Sequence, residues 1–235
     1  MPVSCLQLTS KVKFGFQPTN NLSEDCLYVN IWCPTTIERW HLLPVVVFFP
    51  GGAYFSGGIA IDYYNGKYLA SRGIVVVTFN SRVGNFGFLN LNIHDALGNQ
   101  GIFDQSTALK WIDPNMAEFE GDMNNMTLFG EGSGSVSFHL TNKITRHYAN
   151  KAILFGGTGY FPPYIMDANS SLGLSQEFAE LAKCADKTKT VFNNTQEVLE
   201  CLQSKPADDL LGYENISHAQ KKFLPRRLSG IRFLF

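Results

Sequence analysis

Residues 127–137, TLFGEGSGSVS, decide how this chain is read. A short apolar run leads into closely spaced glycines and then into a small-residue stretch suited to a helix start. That is the frame of G-x-S-x-G, a sharp strand-to-helix turn that holds a serine Oγ above a sheet. The flanking glycines of that pattern are Gly130 and Gly134, and the position between them is Gly132. Glycine has no hydroxyl, so nothing at the centre can attack a carbonyl. Ser133 does not restore the pattern, because centring on it puts Glu131 and Ser135 where glycines belong. Ser135 fails in the same way, with Ser133 and Ser137 as its neighbours two positions away. The turn is a nucleophile elbow without a nucleophile.

Outward from the elbow, apolar runs alternate with helical stretches, the mark of an α/β fold. Leu27 to Trp32 reads as a strand, and Val45 to Phe49 and Ile74 to Phe79 as strands buried on both faces. Met126 to Phe129 and Lys151 to Phe155 complete the strand set. A short helix is expected from Tyr64 to Ser71. An amphipathic one is expected from Gly101 to Trp111, stopping before Pro114. Leu174 to Ala185 and Gln196 to Gln203 read as further helices, and the final FLPRRLSGIRFLF fits no element. No internal repeat, low-complexity tract or clear linker appears.

The chain has 235 residues, 45% of them hydrophobic and 17% charged, with a formal net charge of −1. These values describe a folded globular protein, and they give no electrostatic case for nucleic acid or anionic membrane. The cluster Lys221, Lys222, Arg226 and Arg227 reads as a solvated tail, and no apolar run is long enough for a membrane span. The first residues, MPVSCLQLTSK, lack a signal-peptide core. The five cysteines have no metal-ligand spacing, and no cofactor is expected. Cys5 with Cys26 and Cys184 with Cys201 would each close a modest loop, leaving Cys33. Sequons at Asn21, Asn125, Asn169, Asn193 and Asn215 lean toward secretory exposure. His139 and His147 read as packing or surface residues, and His218 near Asp208 and Asp209 as a weak acid–base set.

Five co-linear segments resemble the type-B carboxylesterase and cholinesterase family of α/β-hydrolases. They are SEDCLYVNIWCP at 23–34, PVVVFFPGGAYFSGG at 44–58 and VVVTFNSRVGNFGFL at 75–89, then GNQGIFDQSTALKWI at 98–112 and EGDMNNMTLFGEGSGSVS at 120–137. The resemblance implies a partial α/β-hydrolase fold: the N-terminal half of a central mixed sheet flanked by helices. It covers 1–211 and leaves 212–235 as an unpatterned tail. The family's reaction, hydrolysis of carboxylic esters through an acyl-serine, is the implied ancestral activity. The glycine loop Gly51, Gly52 and Ala53, with the backbone of Ser133, matches the family's oxyanion hole, and Glu131 matches the acid that lines its gorge. Arg82 and Asp104 match a buried structural ion pair. Cys5–Cys26 and Cys184–Cys201 match the family's first two disulfides, which implies a secreted or extracellular setting.

Three departures set the functional expectation. Gly132 stands at the nucleophile position. The triad acid and histidine, which follow the nucleophile in this hydrolase order, fall beyond the end of the sequence. The family's first strands, and the upstream arginine that would pair with Glu24, are also missing. The chain is therefore expected to be a truncated, catalytically inactive relative. The alternatives are a binding or adhesion module like the neuroligin, neurotactin and gliotactin groups, or a working esterase with another nucleophile. The expected partner is a small ester or a protein.

Overall fold

The computed structural model describes residues 3–8, 18, 20–35, 41–132, 134–157 and 166–220, with side chains to position 214. The sequons Asn21, Asn125, Asn169 and Asn193 lie within it. Ser133, the side chains of Asn215 and His218, and the basic cluster at 221–227 lie outside the described residues.

The elements in chain order begin with β1 (Ser4–Cys5), β2 (Leu22–Ser23), β3 (Val29–Trp32), β4 (Leu43–Phe49), α1 (Lys67–Ala70) and β5 (Val75–Phe79). Next come α2 (Gly84–Phe88), β6 (Asn90–Ile93), β7 (Ala96–Leu97), α3 (Gln100–Asn115), β8 (Gly121–Glu131) and α4 (Gly134–Thr141). The last are β9 (Lys151–Phe155), α5 (Ala168–Leu181), α6 (Thr195–Gln203) and α7 (Ala207–Gln220). Five strands make the central sheet in the order β3-β5-β4-β8-β9, with β3 antiparallel and the others parallel. Helices flank this mixed sheet, giving the α/β class expected from the sequence.

Continuous β-branched and aromatic runs explain the central strands. β5 is buried at all five positions, and Val45, Val47 and Phe49 of β4 point into one core. Leu109, Ile112 and Met116 from the α3 side and Val136 from α4 close over them. At ~25 cal/mol per Å² of apolar area, each such side chain contributes roughly 1.5–3 kcal/mol by burial. A second core lies under the β6–β7 hairpin, where Phe178 and Ala179 of α5 meet Val198, Leu199 and Leu202 of α6.

The element boundaries depart from the sequence reading at several points, each with a local cause. The expected helix from Tyr64 to Ser71 is split into a 3-10 turn, Asp62–Tyr64, and α1. Between them the Asn65 side chain accepts the Lys67 N–H at 3.0 Å, an alternative to helical hydrogen bonding. α3 runs through Pro114 to Asn115. The missing proline N–H costs only the bond to the carbonyl of Lys110, on the exposed face of the last turns. α5 starts six residues before the expected Leu174, because Asp167 caps it by accepting the Ser170 N–H at 3.0 Å. It stops at Leu181 ahead of Lys183, whose φ is 58°. β8 extends to eleven residues, and α7 occupies a stretch for which the sequence suggested no element.

Two disulfides are formed, Cys5–Cys26 and Cys184–Cys201. The second ties the end of α5 to α6 across a separation of 17 residues. A loop of that length removes about 3 kcal/mol of unfolded-state entropy. Replacing Cys184 and Cys201 together by serine should lower unfolding stability by about 3 kcal/mol in chemical denaturation. No change in midpoint would show that the α5–α6 layer is held by packing alone.

Candidate active-site elbow

The strand order fixes where a site can form. β4 continues to β5 on one side of itself, whereas β8 continues to β9 on the other. The chain therefore parts between the C-terminal ends of β4 and β8, and in open α/β sheets ligands bind in the crevice at such a switch point. At that point β4 delivers the loop from Pro50 to Gly58, and β8 delivers Glu131 and Gly132.

Gly132 has φ 59°, a left-handed conformation that a side chain adopts only at a cost of about 1–2 kcal/mol. Its N–H donates to the Phe155 carbonyl at 2.8 Å, and its carbonyl accepts the Gly134 N–H at 2.7 Å. A Cβ placed on Gly132 would meet no heavy atom within 4 Å. The turn thus points the missing side chain into open space, directly between the end of β8 and the start of α4.

Across the crevice, Gly52 has φ 133°, and Ala53 and Tyr54 are left-handed at 53° and 64°. Two successive strained non-glycine residues persist only where the surroundings over-determine them. Gln7 supplies part of that bracing: its amide donates to the Gly57 carbonyl at 2.7 Å and accepts the Gly57 N–H at 2.8 Å. Asn80 accepts the Ile59 N–H at 3.0 Å and donates to the carbonyls of Val3 and Cys26. Among the described residues no acceptor takes the N–H of Gly52 or Ala53.

Glu131 closes the crevice floor. A Cβ on Gly51 would lie 3.0–3.1 Å from three carbons of the Glu131 side chain, so a larger residue there would force Glu131 to shift by a few tenths of an ångström. Tyr64 donates to Glu131 Oε2 at 2.7 Å. Burial raises the Tyr64 phenol well above its ordinary range, and the hydrogen bond to Glu131 and its charge add to that, so the phenol remains a donor.

Beneath the elbow runs a polar chain that sequence reasoning missed. Ser135 Oγ donates to the Tyr54 hydroxyl at 3.0 Å and accepts from Gln105 Nε2 at 3.0 Å. Gln105 Oε1 lies 3.1 Å from His139 Nε2, and His139 Nδ1 lies 3.1 Å from Thr145 Oγ1. Both ring nitrogens of the fully buried His139 are thereby engaged, and its imidazole is a packing group. Ser135, the serine nearest the elbow that the structure describes, is a link in this chain with its hydroxyl doubly engaged.

Arg82 and Asp104 join through three contacts: Arg82 N and Nε donate to Oδ2 at 3.0 and 2.8 Å, and Nη2 donates to Oδ1 at 2.6 Å. The expectation of a buried pair is corrected, because Asp104 is buried but the Arg82 side chain is 39% exposed. The guanidinium reaches solvent past the end of β5. The hydrogen bond to Asp104 raises the Arg82 pKa further. Glu24 is exposed in the bend after β2.

Two buried groups outside the crevice set the pH response. Burial pushes His139 from 6.5 down to about 3. Burial pushes Glu214 from 4.5 up to about 7, partly offset by the Asn85 N–H, which donates to it at 3.0 Å. Between pH 3 and 6.5 the unfolded chain binds a proton that folded His139 refuses, so stability is lost as pH falls. Between pH 4.5 and 7 folded Glu214 keeps a proton that the unfolded chain releases, so stability declines as pH rises. Denaturant midpoints should therefore climb up to about pH 4.5 and then level off, since the two slopes oppose each other. In Glu214→Gln, which keeps an acceptor for Asn85, the midpoint should go on climbing to about pH 6.5. An unaltered profile in that variant would contradict the assignment.

A profile of the carboxylesterase family matches residues 1–227. An acetylcholinesterase-1 of Trittame loki is 38% identical over 208 residues, which cover 86% of this chain and 37% of that protein. Acetylcholinesterases of Electrophorus electricus and Danio rerio are 37% and 36% identical, over 91% and 90% of this chain and 34% of each relative. The chain spans about a third of the length of these relatives. With the elbow, the glycine loop and the two disulfides in place, the chain belongs to the carboxylesterase family.

Proposed function

We propose that this chain is a carboxylesterase-family module that does not hydrolyse esters itself. The observation that supports this most directly is Gly132, which holds the left-handed backbone of an elbow with no hydroxyl attached. Removing the nucleophile from a catalytic triad lowers the rate by about a million-fold, whatever the oxyanion donors contribute. The backbone N–H groups of Gly52 and Ala53, and that of Ser133, are the parts of an oxyanion site that survive such a loss, because they do not depend on side chains. Glu131 lines the same crevice as an acidic wall. No base is at hand among the described histidines: His139 is buried with both nitrogens engaged, His41 is exposed before the N-terminal end of β4, and His94 and His147 are exposed as well.

The ancestral reaction of this module is carboxylic ester hydrolysis, the acetylcholinesterase names of its relatives giving an ester of choline as the first substrate to try. The purified chain should show no turnover of a phenyl or naphthyl ester above the spontaneous rate. Gly132→Ser should fold, since its Cβ meets open space, and should lose about 1–2 kcal/mol of stability to backbone strain. It should remain inactive for want of a base. Turnover that scales with wild-type protein would overturn the proposal, and activity in Gly132→Ser would show that a neighbouring residue supplies the base.

A further inference from the structure

Of the five sequons, at Asn21, Asn125, Asn169, Asn193 and Asn215, the fold singles out one. An Asn-x-Ser/Thr site accepts an N-linked oligosaccharide in a chain that enters the secretory pathway. The motif is short and arises by chance, so the useful question is what else its side chains do.

At three of the four sequons with described side chains, the asparagine or the hydroxyl serves the fold. Asn125 is half-buried in β8, with the Lys151 ammonium on its Oδ1. Asn193 uses both ends of its amide: Oδ1 accepts from Thr190 N and Oγ1 at 2.8 Å, and Nδ2 donates to the Thr188 carbonyl at 3.0 Å. Its sequon hydroxyl, on Thr195, donates to the Val191 carbonyl at 2.7 Å. Asn21 is exposed, but its sequon hydroxyl, on Ser23, accepts the Asp25 N–H at 3.1 Å.

Asn169 differs in both respects. It is exposed in the first turn of α5, and its side chain makes no hydrogen bond among the described residues. The helix start does not need it, because Asp167 caps α5 through Ser170 N at 3.0 Å and Ser170 Oγ at 2.6 Å. The sequon hydroxyl, on Ser171, is 1% exposed and its Oγ has no hydrogen-bond partner among the described residues. A buried hydroxyl without a partner costs a fold about 1–3 kcal/mol, so alanine would suit this helix position better. The hydroxyl burdens the folded helix and is indispensable to the sequon.

We infer that Asn169 carries an N-linked glycan, attached before α5 packs, while the Ser171 hydroxyl is still within reach of the transferase. In the transfer Asn169 Nδ2 bonds to the anomeric carbon of an oligosaccharide carried on a lipid diphosphate. The bond from that carbon to the diphosphate oxygen breaks, the lipid diphosphate leaves, and Nδ2 gives up one proton. The Cys184–Cys201 bond at the other end of α5 belongs to the same oxidising compartment. A glycan at Asn169 adds no charge near the Asp167 cap and leaves both capping bonds intact.

The test is to secrete the full chain from eukaryotic cells behind a cleavable leader, release N-glycans enzymatically in heavy-oxygen water, and map the peptides by mass spectrometry. Asn169 should appear as heavy-oxygen-labelled aspartate. Asn169→Gln and Ser171→Ala should each be secreted with one glycan fewer than wild type. Secreted wild type with unmodified Asn169 would overturn the inference, as would equal glycan numbers in wild type and Asn169→Gln.

Discussion

The left-handed backbone of Gly132, pinned by its N–H to the Phe155 carbonyl of the edge strand, is the constraint on which the crevice depends. It ends β8 and starts α4 within two residues. It also fixes the register in which Glu131 reaches Gly51 and the helix below presents Ser135 to Tyr54. Any other residue there would adopt the same turn only under strain, and in a working elbow that strain is the means of exposing a nucleophile. With glycine the shape persists without the strain.

The surroundings are built to hold that shape. The glycine loop opposite is left-handed at Ala53 and Tyr54, and it is tied down by Gln7, two residues past β1, and from the end of β5 by Asn80. Asn80 also grips the carbonyls of Val3 and Cys26, so the Cys5–Cys26 region and the loop share one anchor. From below, the chain from Tyr54 through Ser135, Gln105 and His139 to Thr145 joins the loop to α3 and α4. A buried network with every member satisfied rigidifies what it connects. The glycine loop and the helices below the elbow are therefore held as one braced unit.

Much of this was legible in the sequence. The strands that carry the site announced themselves as runs such as VVVFF and VVVTF, because strands buried on both faces admit little else. The elbow was readable from the spacing of Gly130 and Gly134 alone, and the loop glycines from their clustering. Other features were not. The length of α3 was hidden by Pro114, whose effect depends on its lying in the last turn rather than mid-helix. α7 has no regular apolar stripe; it docks by packing Leu210 and Tyr213 against the second core and through one buried carboxyl, Glu214, on Asn85 far away in sequence. All but the last link of the polar chain under the elbow join residues 30–81 positions apart, and no local pattern marks a glutamine or a histidine as a partner in it.

The most direct measurement is the intact mass of the natively folded chain after incubation with a serine-directed fluorophosphonate. The glycine elbow predicts an unmodified mass, the serines of 133–137 included. A single stoichiometric adduct that forms on the folded protein and not on the denatured one would contradict it, by showing that some serine in the crevice has taken over the nucleophile's place.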